Sequence, residues 1–332
     1  MPDSDHSTKF ATHAILFLGI ASIAVAMRVH GLNGLFVLGI DEGVYWQTLR
    51  AMHAGFRLYD QIFYSQPPFF VLSVYPFYTL FGQSIAAARA GIAALSLLGL
   101  LGAYMMGKAL GGRAGALVAM ILLVFTPAYL RQSQLLQAEG ASTAFLFLSV
   151  GAALLWWKRP IGKSAVIFAI VCGATLSIGI LIKLLNVTAV VPILILVLWR
   201  VWDFRRDSNS KNPTPSILLG FIAALAVALI ALMPFLPSLG ALLDQVVGYH
   251  LAAKKVWRTD NFGELRQFFA TNGVLTVAGI IGAGLALLRR DWRVIPLLAW
   301  LVATIAFLAM LVPLQNALEY TTSGRKPRCC IR

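Results

Sequence analysis

Acidic side chains are scarce in this chain. Asp and Glu together number 13 among 332 residues, and charged residues of both signs make up only 12%. A soluble domain of this size carries about twice that share of charge. Cysteine is nearly absent as well. Cys172 lies inside an apolar run and Cys329 and Cys330 are adjacent near the end, which excludes a disulfide framework and gives no zinc-ligand spacing. The five histidines, His6, His13, His30, His53 and His250, form no H-E-x-x-H or other ligand pattern. No internal repeat and no long low-complexity segment appears. What remains is apolar: 59% of the residues are hydrophobic, gathered in membrane-length runs. The net charge of +14 does not point to nucleic acid, because the basic residues punctuate the apolar runs and do not form one face.

Those runs predict an all-α polytopic membrane helix bundle of about nine spans. The first covers Phe10 to Met27. Ala24-Val25-Ala26 resembles a signal-peptidase site, but the alternation of sides favours a retained helix. Further spans are expected at Ala87–Gly107, Ala114–Leu130, Gly140–Trp157, Ser164–Ile182, Val187–Trp202, Ser216–Leu236, Gly273–Leu288 and Val294–Val312. The connections on one side carry Lys108 and Arg113, then Lys158, Arg159 and Lys163, then Arg200, Arg205, Arg206 and Lys211, then Arg289, Arg290 and Arg293. Short basic connections stay in the cytoplasm. The expected organisation is therefore a cytoplasmic tail at 1–9 and a transmembrane domain at 10–313, with outer loops at 28–86 and 237–272. A polar tail follows at 314–332, and its abrupt Cys-Cys ending looks truncated or frame-shifted. The expectation is a multi-pass protein of the inner or plasma membrane, with its site facing outward.

One outer stretch holds unusual chemistry. Gly39 to Phe70 opens on adjacent carboxylates, Asp41 and Glu42, and closes on Pro67-Pro68 followed by aromatics. Ionisable groups at a membrane edge are costly and mark function, although Asp41 could equally cap a helix that starts at Glu42. Tyr45, Leu49 and Met52 recur at helical spacing, as in a helix lying in the headgroup region. Phe69 to Phe81 is apolar but short and interrupted by Pro76, so it reads as an interfacial or re-entrant element.

Glu139 directly precedes the fourth span, where a helix dipole would also favour it. Arg131, Gln134 and Gln137 are within local reach of it. Arg89 opens the second span. Lys183 ends a long apolar run on the outer side, where topology does not call for positive charge, and a surface phosphate would account for it. His250, in V-V-G-Y-H-L, could touch substrate or simply sit at the interface.

Together these segments resemble the membrane glycosyltransferases of the GT-C class, in the bacterial branch related to protein O-mannosyltransferases and lipid A aminoarabinose transferase. The matching motifs are D41-E42-G-V-Y-W, S65-Q66-P67-P68-F69, A88-R89-A-G, Q134-L-L-Q-A-E139-G and G-I-L-I-K183. The resemblance runs from about Phe10 to Lys183 and continues beyond only by hydropathy. It implies an inverting enzyme that passes a sugar from a polyprenyl-phosphate donor to a lipid, glycan or protein acceptor. Asp41 would be the base, Glu42 would complete the acidic pair, and Glu139 would be the second acid, making these three the catalytic group. Lys183 would face the carrier phosphate. Beside these matched residues, Arg89, Arg131, Tyr64, Gln66 and His250 are candidate substrate contacts on their position in the chain. Gln66 and Gln134 depart from the pattern, since relatives often place a cation at each. No cofactor is required, although Asp41, Glu42 and Glu139 could converge on a divalent metal.

A leaving phosphate needs cations and not an acid, so one base and several outer cations suffice for this chemistry. The alternatives are a transporter or flippase of lipid-linked saccharides, or a truncated non-catalytic relative. A transporter would place ionisable groups at mid-membrane within repeated, broken helices.

Overall fold

The computed structural model describes residues 3–32, 39–159, 161–207, 212–256 and 261–311. The expected tail at 314–332 lies outside them. All regular structure among the described residues is helical, with a single bridge between Leu58 and Ile62. The chain divides into two units, 1–246 and 247–332.

In the first unit, α1 (Asp3–Gly31) is followed by the shorter helices α2 (Ile40–His53) and α3 (Phe69–Leu80). The amphipathic and the short Pro76-containing elements expected in the first outer loop are therefore both helical. Then come α4 (Ile85–Val124), α5 (Pro127–Gln132), α6 (Ala138–Lys158) and α7 (Lys163–Ile182). A 3-10 turn at Leu184–Ala189 leads into α8 (Val190–Arg206), and α9 (Thr214–Leu232) and the short α10 (Leu239–Leu243) complete the unit's helices. A π-helical turn, Asp244–Gly248, follows α10.

Helix α4 folds back on itself. Its backbone leaves helical geometry at Gly111 and Gly112, where φ at Gly112 is +66°, a conformation that glycine adopts without a Cβ clash. A straight helix would hold Leu100 and Val124 roughly 36 Å apart, yet both belong to one buried cluster with Ala24, Ala103, Met120 and Tyr129. Gly107 and Gly115 bring the two arms into backbone contact. The break falls at 108–113, where the sequence places a basic connection between two spans. Among the described residues, seven helical stretches are long and apolar enough to cross a membrane, counting 85–124 as one, and eight if a bent pair is included. The expected nine segments differ from this count partly because two of them share α4. The architecture is a multi-pass, all-α membrane fold.

Helix α6 lies between α4 and α7 and is the most enclosed span. Small residues permit this. A Cβ on Gly102 would approach the backbone of Phe147 and Leu148 at 2.5 Å, and one on Gly151 would meet the Gly102 carbonyl oxygen at 2.8 Å. Close backbone approach through Gly and Ala is the usual means of helix association in lipid.

The second unit comprises α11 (Tyr249–Val256), α12 (Asn261–Thr271), α13 (Gly273–Leu288) and α14 (Ile295–Leu311). The stretch expected as an outer loop, 237–272, is thus largely helical. Leu265–Thr271 and Gly273–Leu288 meet at 92°, with Asn272 at the corner.

Candidate functional site

Helix α2 begins at a Gly39 N-cap that makes no side-chain cap bond. Asp41 therefore does not cap the helix, as one reading of the sequence had it. It sits in the first turn, where the helix dipole favours a carboxylate. Its neighbour Glu42 points the other way and is completely buried. Arg89 Nε and Nη2 donate to the two Glu42 oxygens at 2.9 and 2.8 Å, and Leu136 N donates to Glu42 Oε1 at 2.7 Å. This bidentate pair in a dry setting ties α2 to α4 and to the turn before α6. Arg89 Nη1 also reaches the Leu32 carbonyl at 3.4 Å. The adjacent carboxylates are thus separated by environment: one is enclosed and fully engaged, the other is exposed.

Glu139 lies in the first turn of α6, whose N-cap is Gln137. Its partner is neither Arg131 nor a neighbouring glutamine. Lys183 Nζ, at the C-terminal end of α7, makes an ion pair and hydrogen bond with Glu139 Oε1. Gln134 instead donates to the Met27 carbonyl at 2.8 Å. Both members of the Glu139–Lys183 pair keep access to solvent, with side-chain exposures of 35% and 27%.

Asp41 stands in the electrostatic reach of this pair. Its carboxyl is pushed above the ordinary value, first by the protein that crowds it and then by Glu139, while Lys183 pulls it down. Tyr45 lies one helical turn beyond Asp41. Its phenol is held well above the usual range by burial, with Glu139 and Asp41 adding to the effect, so it remains a neutral hydroxyl. Asp41, Glu139, Lys183 and Tyr45 therefore share one neighbourhood.

The Tyr45 ring packs edge-on against Phe70 at 4.8 Å and against Tyr64 at 6.2 Å between centroids. Tyr64 is buried, and its hydroxyl has no hydrogen-bond partner among the described residues. The Tyr59 hydroxyl donates to the Gln66 carbonyl at 2.8 Å, so the main chain of Gln66 is held while its side chain makes none of the described hydrogen bonds. The loop carrying Tyr59 and Tyr64 is clamped by Gln245, whose side chain accepts from Tyr64 N and donates to the Tyr59 carbonyl, both at 2.8 Å. Tyr59 itself has φ +69°, an unfavourable value for a bulky residue. The clamp and the Tyr59–Gln66 bond hold it there.

Arg131 is half-buried on α5, and its side chain makes no ion pair among the described residues. His250 belongs to the second unit, where its ring lies edge-on to Tyr249 at 5.6 Å. Sequence reasoning singled out neither Tyr45 as a site residue nor Gln245 as a clamp. The i, i+4 spacing from Asp41 could have found Tyr45, whereas Gln245 lies 181 residues from Tyr64 and gives no local signal. Arg28 was missed too. It is buried, donates from Nε to Ser96 Oγ at 2.8 Å, and lies over the Tyr129 ring.

Among the described residues no three His, Cys, Asp or Glu side chains converge to hold a metal ion. Glu42 is committed to Arg89, and Glu139 already has a cation in Lys183. A metal held at Asp41 and Glu139 would need its remaining ligands from water or substrate.

No curated protein matches the chain. Among solved structures it is similar to the Archaeoglobus fulgidus oligosaccharyltransferase in complex with Zn and sulfate. That match has TM-score 0.59 and 18% identity, and covers 89% of this chain and 47% of the other. It is also similar to the archaeal oligosaccharyltransferase AglB from Archaeoglobus fulgidus with an inhibitory peptide and a dolichol-phosphate, at TM-score 0.53 and 17% identity, covering 90% and 39%. The chain spans less than half the length of these archaeal enzymes. ArnT from Cupriavidus metallidurans in the apo state aligns at TM-score 0.45 and 18% identity, over 91% of this chain and 77% of that one. The family model for dolichyl-phosphate-mannose-protein mannosyltransferase matches residues 55–243, a stretch that holds Arg89, Glu139 and Lys183. With more than half of its length matched, the chain belongs to the dolichyl-phosphate-mannose-protein mannosyltransferase family.

Proposed function

We propose that this protein transfers a sugar from a polyprenyl-phosphate donor to an acceptor hydroxyl at the outer face of the membrane, inverting the anomeric carbon. The observation that carries the reading is the placement of the exposed Asp41 beside the Glu139–Lys183 pair, in a chain of this family. Asp41 takes the acceptor proton as the hydroxyl oxygen bonds to the anomeric carbon. The bond from that carbon to the phosphate oxygen breaks on the opposite side, and its electron pair leaves with the phosphate. Lys183 compensates the charge gathering on that phosphate, with Arg131 as a second cation on the same side of the fold. Glu139 holds Lys183 and orients the acceptor.

A raised Asp41 pKa suits a general base, because a stronger base accepts a proton more readily. Glu42 and Arg89 act from beneath, as the buried pair that fixes the turn of α2 carrying Asp41. Tyr64 and Gln66 belong to the wall of the substrate site. The acceptor is a lipid, glycan or protein hydroxyl, and the working domain is 10–313. The family's donor chemistry and the outward orientation implied by the basic connections support this arrangement.

The test is direct. Purified full-length protein in lipid nanodiscs is offered a panel of polyprenyl-phosphate sugars labelled in the sugar, and label is followed into acceptor or water. Release from at least one donor, lost in Asp41→Asn, is the expected result. Equal release by the wild type and Asp41→Asn would remove Asp41 as base. No release from any donor, with the protein folded and acceptor present, would overturn the enzymatic reading.

A further inference from the structure

The Glu139–Lys183 pair joins two helices at their ends, and charged side chains with solvent access do not fix each other's position unaided. Three residues beyond Lys183, in the 3-10 turn Leu184–Ala189, stands Asn186, a polar residue that is only 3% exposed. Its side-chain nitrogen donates to the Gly179 carbonyl of α7 at 2.9 Å and to the Ser142 carbonyl of α6 at 3.0 Å. Its backbone N–H donates to the Lys183 carbonyl at 3.0 Å. Ser142, one turn along α6 from Glu139, donates its hydroxyl to the Glu139 carbonyl at 3.2 Å. One carboxamide therefore bridges the helix that carries Glu139 and the helix that carries Lys183, and the same residue closes the turn that begins at Lys183.

The local sequence makes room for it. A Cβ on Gly179 would come within 3.0 Å of the Asn186 side-chain nitrogen, so glycine is what lets the amide reach the carbonyl. Lys183 itself is extended, with φ −152° and ψ 125°, where α7 stops and the 3-10 turn begins. The Lys183 N–H closes the last turn of α7 on the Gly179 carbonyl at 3.0 Å, and Asn186 gives that same oxygen a second donor. A buried amide with both N–H groups used on two different helices is poorly replaced by any other side chain of its size.

We propose that Asn186 is a positioning residue that sets Lys183 against Glu139, and through that pair fixes the cation available to the donor phosphate. Its link to catalysis rests on the proposed function above; its effect on the pair does not. Asn186→Asp keeps the shape but turns a donor into an acceptor facing two carbonyl oxygens, and Asn186→Ala removes the bridge. Gly179→Ala disturbs the same bond from the other side.

The experiment uses the full chain in nanodiscs and acetic anhydride as the probe of the Lys183 amine, read by peptide mass spectrometry alongside the thermal unfolding midpoint. Glu139→Gln gives the labelling rate of an unpaired Lys183. Asn186→Asp and Gly179→Ala are expected to raise Lys183 labelling by about two- to fivefold, the factor a partly exposed ion pair represents, while exposed Lys163 is unchanged. Labelling at the wild-type rate in both folded variants overturns the proposal. If Asn186→Asp fails to fold, Gly179→Ala decides by the same readout.

In the sugar-release assay, Asn186→Ala should raise the donor KM as Lys183→Ala does, and add nothing further in the Lys183→Ala background. Additive losses would mean that Asn186 acts elsewhere. A wild type that releases no sugar would sink the functional reading and still leave the labelling result to decide the positioning role.

Discussion

At the scale of the residue, adjacent acids have been given different tasks by their surroundings. Glu42 is dry and held by a guanidinium and a backbone N–H, so it is immobile; Asp41 is exposed and stands near another acid. The pH consequence follows from sign. Asp41 must be deprotonated to act as base, and its pKa lies above the ordinary value, so activity should fall on acidification at a higher pH than an unperturbed aspartate would give. Beyond the burial that raises it most, the charged groups that act on it are Glu139 and Lys183. Lys183 lowers its pKa, so Lys183→Ala should move the acid limb of the pH–rate profile upward; Glu139 raises it, so Glu139→Gln should move the limb downward. A limb that stays in place in both variants would show that another group titrates.

Stability separates the two acids as well. A carboxyl whose folded pKa is raised costs stability above its unfolded pKa, and that cost is relieved as pH falls through the folded value. Asp41→Asn should therefore lower turnover by roughly two orders of magnitude without lowering the unfolding midpoint. Glu42→Ala and Arg89→Ala each strand a buried charge and should destabilise by about 3–5 kcal/mol. A thermal melt of the three variants tests the division: equal losses in Asp41→Asn and Glu42→Ala would contradict it.

At the scale of the element, the helices were legible because apolar length and basic punctuation are local signals. The break between Gly107 and Ala114 could be read from Lys108 and Arg113, and α2 from the spacing of Tyr45, Leu49 and Met52. The pairings were not legible. Arg89 lies 47 residues from Glu42 and Lys183 lies 44 from Glu139, and no periodicity links residues on separate helices. Gly102 shows the same gap: its glycine reads as neutral in sequence, yet the backbone of α6 occupies the space a side chain would take. Gly102→Val should force α4 and α6 apart and destabilise the protein by about 1–3 kcal/mol. Gly19→Val, at a position with nothing within 4 Å, should leave the midpoint unchanged. Equal midpoints for the two would show that α4 and α6 can part at Gly102 without loss.

At the scale of the whole molecule, one hairpin decides which side of the membrane the site faces. Helix α6 starts beside Glu139 and ends at Lys158; α7 returns from Lys163 and ends at Ile182, beside Lys183. A helix of about 20 residues rises roughly 30 Å, the thickness of the hydrocarbon layer. Glu139 and Lys183 therefore lie at one membrane boundary, and the Lys158–Lys163 connection lies at the other. The connection is basic and short, which argues for holding it in the cytoplasm, and the site would then open outward. Asp60, in the loop after α2, lies between Tyr59 and Tyr64, whose rings lead to Tyr45 and the site. Single cysteines at Asp60 and Lys163, in a protein lacking Cys172, Cys329 and Cys330, test this with a membrane-impermeant thiol reagent. In intact cells Asp60→Cys should label and Lys163→Cys should not, until the membrane is opened. Labelling of both from outside would mean that α6 and α7 do not cross. Labelling of Lys163→Cys alone would turn the site to the cytoplasm, and the donor would then have to be presented from the inner leaflet.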